Sequence, residues 1–277
     1  MSARGADRQG EPPPLPEPLV VEVLDSHCHL DLMGVDVDTA IAQARAVGIG
    51  TIVQVGVDLP SSRWAAQVAA EHAQVHAAVA VHPNEAGTGA ATDEVLREIE
   101  ALAALPHVVA VGETGLDHYR TTDPDGHRQQ EESFRAHIAI AKRTGTALVI
   151  HDREAHDDVV RVLLEEGAPE RVVFHCFSGG PELARACAEQ GWWASFAGPV
   201  TFKPNDALRA AAALLPAELL LVETDAPFLT PVPFRGRPNA PYLVPHTVRA
   251  LARVRDGDLD EVCGVIAQNG RRAFQIG

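Results

Sequence analysis

From Leu19 onward the chain alternates short β-branched apolar runs with Ala-rich segments of helical length, and this alternation most narrows what it can fold into. Eight strand candidates can be counted: LVVEVLDS (19–26), GTIVQVGV (50–57), VHAAVAV (75–81), VVAVG (108–112), ALVI (147–150), RVVF (171–174), WWASFAG (192–198) and LLLVET (219–224). Each is short and apolar on both faces, as expected of a strand buried between a barrel interior and an outer helical layer. Helical patterns separate them (DTAIAQARAVG, SRWAAQVAAEHA, TDEVLREIEALAAL, HRQQEESFRAHIAIAKRTG, AHDDVVRVLLEEG, PELARACAEQG, NDALRAAAALL), and further helical sequence follows the last strand. Eight repeats predict an α/β fold, a single (β/α)8 TIM barrel over residues 19–277, in preference to a doubly wound sheet. Ahead of it, residues 1–18, ending in EPPPLPEP, are polar and proline-rich and are expected to form a disordered or polyproline tail.

Composition narrows the class. With 46% apolar and 22% charged residues the chain is ordinary globular protein, and no apolar run approaches the roughly 20 residues that span a bilayer. The four cysteines, Cys28, Cys176, Cys187 and Cys263, form no CxxC pair, and the N-terminus has no apolar signal core, so a cytoplasmic location is expected. Against 23 Lys+Arg stand 38 Asp+Glu, a net charge of −15 that excludes a broad basic face for duplex binding but not a small local site.

In such a barrel the chemistry sits at the C-terminal ends of the strands. Strand 1 runs into DSHCHLD, strand 3 into HPNE, strand 4 into ETGLDHYR, strand 5 into HDREAHDD, strand 6 into HCFSGG and strand 8 into TDAPFL. His27 and His29 alternate around Cys28, so both imidazoles point to one face of an extended segment while the thiol points into packing. Alone, such a pair describes ordinary buried histidines more often than ligands; at the end of a first barrel strand a ligand role is favoured. Glu113 follows an apolar strand between Gly112 and Gly115, where a carboxylate is expensive to bury unless paired or coordinated, or else caps the next helix. His151 and His175 directly follow apolar runs on adjacent strands, and Asp225 completes the last one. His27, His29, Glu113, His151, His175 and Asp225 would then converge on one mouth, enough for two divalent ions bridged by Glu113. Zn, Mn, Ni, Co, Fe and Mg all suit this mixed N/O set. The chain has only two lysines, Lys142 in a predicted helix and Lys203 after strand 7, so a carboxylated lysine bridge is disfavoured.

These segments resemble the TatD-like metal-dependent deoxyribonucleases. DSHCHLD, GETGLDHYR, VIHDREAHDD, FHCFSGG, FAGPVTFK and LLVETDAPFLTPVPFRGRPNAP stand in family order and spacing from about residue 23 to the C-terminus. The resemblance implies a TIM barrel that hydrolyses DNA phosphodiesters with divalent metal, and a ligand set at the same six positions. Two departures occur: His118 stands where the family often has an aromatic residue, and Ala240 where it commonly has an acid.

The expected reaction is attack on a phosphodiester by a water activated by two metal ions, with Asp225 as general base and Glu113 as the bridge. Short or single-stranded DNA ends are the expected substrate, with no membrane and no obligate protein partner. Arg153, Arg235 and His82 are candidate substrate contacts. Arg153 could equally start a helix in solvent, and His82 could be a structural strand-end histidine. Two other readings stay open: a small-molecule metallohydrolase acting on an ester, lactone or phosphate ester, and a non-catalytic metal-binding protein, against which the complete ligand set argues. Most other histidines (His72, His76, His107, His127, His137, His156, His246) fall in predicted helices or loops, where solvated or packing roles are the default.

Overall fold

A computed structural model describes residues 10–277. Its sheet has eight parallel strands in sequence order: β1 (Val23–Cys28), β2 (Ile49–Val55), β3 (Val75–Val79), β4 (Val108–Asp117), β5 (Ala147–Arg153), β6 (Val172–Phe174), β7 (Trp193–Phe196) and β8 (Leu220–Val222). Helices α1 (Val37–Arg45), α2 (Leu59–Glu71), α3 (Pro83–Ala86), α4 (Asp93–Ala103), α5 (Pro124–Thr144), α6 (His156–Glu166), α7 (Pro181–Gln190) and α8 (Asp206–Leu214) lie between strands, and α9 (Val244–Val254) and α10 (Leu259–Phe274) follow. This is the expected TIM barrel, nearly closed. No helix among the described residues is long and apolar enough to cross a membrane.

Among the described residues, the seam between β8 and β1 carries no ladder, only a parallel bridge between Cys28 and Ala226. A side chain completes it. The buried Asp25 carboxylate accepts from Thr224 N (2.9 Å) and Thr224 Oγ1 (2.5 Å), while Asp225 N donates to His27 O (2.9 Å) and His29 N to Ala226 O (2.7 Å). Burial, the largest influence, pushes the Asp25 carboxyl up to about 8 against the pull of the Thr224 donors.

Two strands run further than their apolar cores suggest. β4 continues to Asp117 and β5 to Arg153, paired through Gly115 with His151, Leu116 with Asp152 and Asp117 with Arg153. Gly115 permits this: it has φ 136°, and a Cβ there would collide with the His151 carbonyl. The ligand candidates Glu113 and His151 therefore stand on paired strands rather than on loops. α3 was not anticipated; Pro83 opens it, and His82 caps it by accepting from Asn84 N at 3.0 Å. Of the proline-rich tail, residues 10–18 contain no helix or strand and are hydrogen-bonded to the barrel, whereas residues 1–9 lie outside the described residues.

His137 ties α5 to the end of β3. Its Nδ1 donates to Ser133 O (2.7 Å) and its Nε2 accepts from Val81 N (3.1 Å), so the neutral ring satisfies both partners. Burial holds it down at about 4. Because the unfolded chain then binds more protons, stability rises with pH through this window and falls on acidification from about 6.5 to about 4. Urea unfolding of wild type should show a loss of up to about 3 kcal/mol across that range that His137→Leu does not show. Parallel pH profiles would remove His137 from the account.

Candidate metal centre

The six predicted ligand positions meet at the C-terminal mouth of the barrel. His27 Nε2 and His29 Nε2 lie 3.3 Å apart. Each is turned by its surroundings. His29 Nδ1 donates to Val55 O on β2 (3.0 Å), which leaves Nε2 as the atom that faces the mouth. The His27 ring stacks on that of His175, with centroids 3.8 Å apart. His175 Nδ1 contacts Glu223 Oε1 (3.1 Å), so its Nε2 also points inward.

Glu113 is the hub, with one oxygen facing each half of the site. Its Oε1 lies 3.6 Å from His27 Nε2 and 3.5 Å from His29 Nε2. Its Oε2 lies 3.1 Å from His151 Nδ1, 3.0 Å from His175 Nε2 and 3.6 Å from His82 Nε2. Asp225 Oδ1 joins the first half, 3.5 Å from His29 Nε2 and 3.9 Å from His27 Nε2. Asp225 reaches it from a left-handed backbone, φ 52°, that turns its carboxylate off the line of β8.

These spacings fit a shared cation. Ligands about 2.1 Å from a common tetrahedral centre lie about 3.4 Å from one another. Donors of His27, His29 and Asp225 form one compact group, and those of His82, Glu113 and His151 another. The electrostatics agree: burial alone would raise the Glu113 carboxyl, yet the surrounding imidazoles hold it well below the usual range. Burial opposes a charged His29, but the Asp225 and Glu113 carboxylates outweigh it and push the ring up to about 9. A buried set that draws protons to compensate its carboxylates suits a divalent ion in their place. His82 differs, because its Nδ1 accepts from Asn84 N and the neutral ring therefore carries its hydrogen on Nε2, 3.6 Å from Glu113 Oε2.

Two further carboxylates support the set. Asp117 Oδ2 contacts His151 Nε2 at 3.2 Å; burial would raise it, but His151 and the Arg120 amide hold it at about 2. Glu223 orients His175 and accepts from Cys176 N (2.7 Å), while its other oxygen, buried, has no hydrogen-bond partner among the described residues. Both were legible in principle, since Asp117 stands four residues after Glu113 and Glu223 two before Asp225, spacings that keep a strand face.

Above the donors opens a cavity of about 810 Å³. Arg153, Arg120 and His82 line it, with Leu32, Pro60 and Phe228 on an apolar side. The Arg153 guanidinium lies 4.0 Å over the Tyr119 ring. Arg235 is not among the lining residues and stacks instead on Phe202 at 4.4 Å. His118 also stays out, stacked on His127 (4.1 Å), and Ala240 is buried beside a 3-10 turn. Lys142 donates to Glu166 O on the outer wall, and Lys203 is exposed beyond β7.

Residues that orient a ligand affect metal affinity by about 10–100-fold. Glu223→Ala should weaken Mn or Zn binding by that factor in chelator competition, with the fold retained by circular dichroism. Unchanged affinity would reduce Glu223 to a packing role.

Comparison with known proteins identifies the family. A family model described as TatD related DNase matches residues 24–275. The metal-dependent hydrolase TatD of Mycobacterium tuberculosis is 47% identical over 262 residues, covering 92% of this chain and 98% of that protein. YabD of Bacillus subtilis, also a metal-dependent hydrolase by name, is 38% identical, covering 92% and 99%. The crystal structure of YJJV, a TatD homologue from Escherichia coli K12, superposes with TM-score 0.86 at 26% identity, covering 92% of this chain and 98% of that one. The chain belongs to the TatD-related DNase family of metal-dependent hydrolases.

Proposed function

We propose that the chain is a deoxyribonuclease that hydrolyses DNA phosphodiesters at short or single-stranded ends with two divalent ions. The observation that carries this is the opposed placement of the Glu113 oxygens, one toward His27, His29 and Asp225 and the other toward His151 and His175. That arrangement suits a bridging carboxylate between two ions, with Mg, Mn, Zn, Ni, Co and Fe all compatible with the donors. When bound, such ions acidify water and neutralise charge on phosphoryl oxygens.

The chain's own groups supply the rest. Asp225, at the open side of the donor set with its side chain 14% exposed, takes the proton of the attacking water. Arg153, fixed against Tyr119, and Arg120 hold phosphate oxygens at one wall of the cavity. His82 presents Nε2–H toward the same space and donates to a developing oxyanion. The apolar side formed by Leu32, Pro60 and Phe228 takes sugar or base.

A small-molecule carboxylic ester or lactone hydrolase on the same barrel would need no cationic wall, whereas Arg120 and Arg153 suit a phosphate ester, diester or monoester alike, so relative turnover of the two separates them. Purified protein with Mg or Mn should shorten a single-stranded oligonucleotide, and Asp225→Ala should lower kcat by a factor of about 10²–10⁴. Faster turnover of lactones or phosphate monoesters than of oligonucleotides would overturn the nuclease assignment. Activity unaltered by Asp225→Ala would overturn the choice of base.

A further inference from the structure

The proline-rich segment ahead of β1 is seated on the outside of the barrel. Proline has no N–H, so Pro12, Pro13 and Pro14 offer only carbonyl acceptors on a backbone whose φ is fixed near −65°. The barrel presents donors to match. Arg237 Nε donates to Glu11 O (2.7 Å) and Arg237 Nη2 to Pro12 O (3.0 Å). The Tyr242 hydroxyl donates to Pro13 O (2.7 Å), and both residues are buried. Arg249 Nη2 reaches Glu17 O (2.7 Å) and Pro18 O (3.4 Å). One-way bonding from tyrosine and arginine donors to the carbonyls of a proline-rich chain is the chemistry of polyproline recognition.

Two of these donors flank the residue that holds the β8 turn. Asn239, between Arg237 and Tyr242, donates through Nδ2 to Thr224 O (2.9 Å) and Phe228 O (2.5 Å). Those carbonyls bracket Asp225, whose left-handed φ of 52° persists only where its surroundings impose it. We infer that Arg237, Tyr242 and Arg249 form a polyproline-type docking site, occupied in cis by residues 11–18, and that the docked strap steadies the loop that positions Asp225. Arg237 and Tyr242 act as positioning residues. The docking stands on its own contacts, whereas its effect on the metal centre rests on Asp225 being a ligand.

Hydrogen–deuterium exchange on the full chain tests the docking, comparing wild type with Tyr242→Phe and with Pro12→Gly/Pro13→Gly/Pro14→Gly. A neutral hydrogen bond shifts a local opening equilibrium by a factor of about two to ten. Amides of residues 234–243 should exchange faster by that factor in Tyr242→Phe and by at least as much in the triple variant, while those of β4 stay as in wild type. Unchanged exchange over 234–243 in both variants overturns the docking. Mn²⁺ titration tests the coupling, with weaker affinity expected in both variants. Asp225→Ala, titrated in parallel, separates the two failures. If it leaves Mn²⁺ affinity unchanged, the ligand assignment fails; if it weakens affinity and the strap variants do not, the coupling fails.

Discussion

A buried carboxylate at the mouth of the barrel sets the terms for everything around it. Glu113 is 4% exposed and stands on a strand whose other residues are almost all buried, so its charge must be compensated by neighbours rather than by water. Three histidines approach one oxygen and two approach the other, and most of these rings, though not that of His27, are held by something farther out. Val55 O holds His29, Asp117 holds His151 and Glu223 holds His175. Removing an outer carboxylate therefore disturbs a ring that Glu113 depends on, which makes the cluster a cooperative unit rather than a sum of pairs.

Closure of the barrel serves the same centre. His27 stands on β1, His29 just past it and Asp225 just past β8, so these groups face one another only if the seam is shut. The seam lacks a ladder, and the Asp25 carboxylate bound to Thr224 takes its place, two residues from His27 and one from Asp225. Asp25 is fully buried there, and that burial pushes its carboxyl up to about 8. The interaction that closes the fold thus also sets the separation between ligands from the first and last strands.

Much of this was legible because a barrel writes its chemistry at strand ends. Apolar runs with His or a carboxylate at their close located His27, His29, Glu113, His151, His175 and Asp225, and the sheet places all of them at one mouth. Element ends were less legible. The polar residues of β4 and β5 read as loop, yet they pair as strand, because Gly115 lets the two backbones approach and the ion pairs satisfy what the apolar pattern lacks. Asp117 and Glu223 are less legible, since an acidic residue close to a candidate ligand looks redundant until the orientation of His151 and His175 has to be explained. Nothing local in the sequence announces the strap, whose partners lie more than 200 positions away.

The charge of the mouth bears on how a chain with net charge −15 would handle a polyanion. Around the cavity, Asp31, Asp58 and Glu85 follow the first three strands, while Arg120 and Arg153 stand at the ends of β4 and β5. Asp117 and Asp152 also line it at those ends, so the two arginines stand on a rim that is otherwise acidic. A long DNA strand crossing the mouth would leave the Arg wall and run past carboxylates, with like-charge repulsion little screened inside a concave site. On the proposed reading, a strand ending at the two arginines would pass fewer of those carboxylates, its terminal phosphate held by the arginines and by the cation the donors would carry. Net acidity would, on that reading, disfavour passage of a long strand across the mouth more than entry of an end.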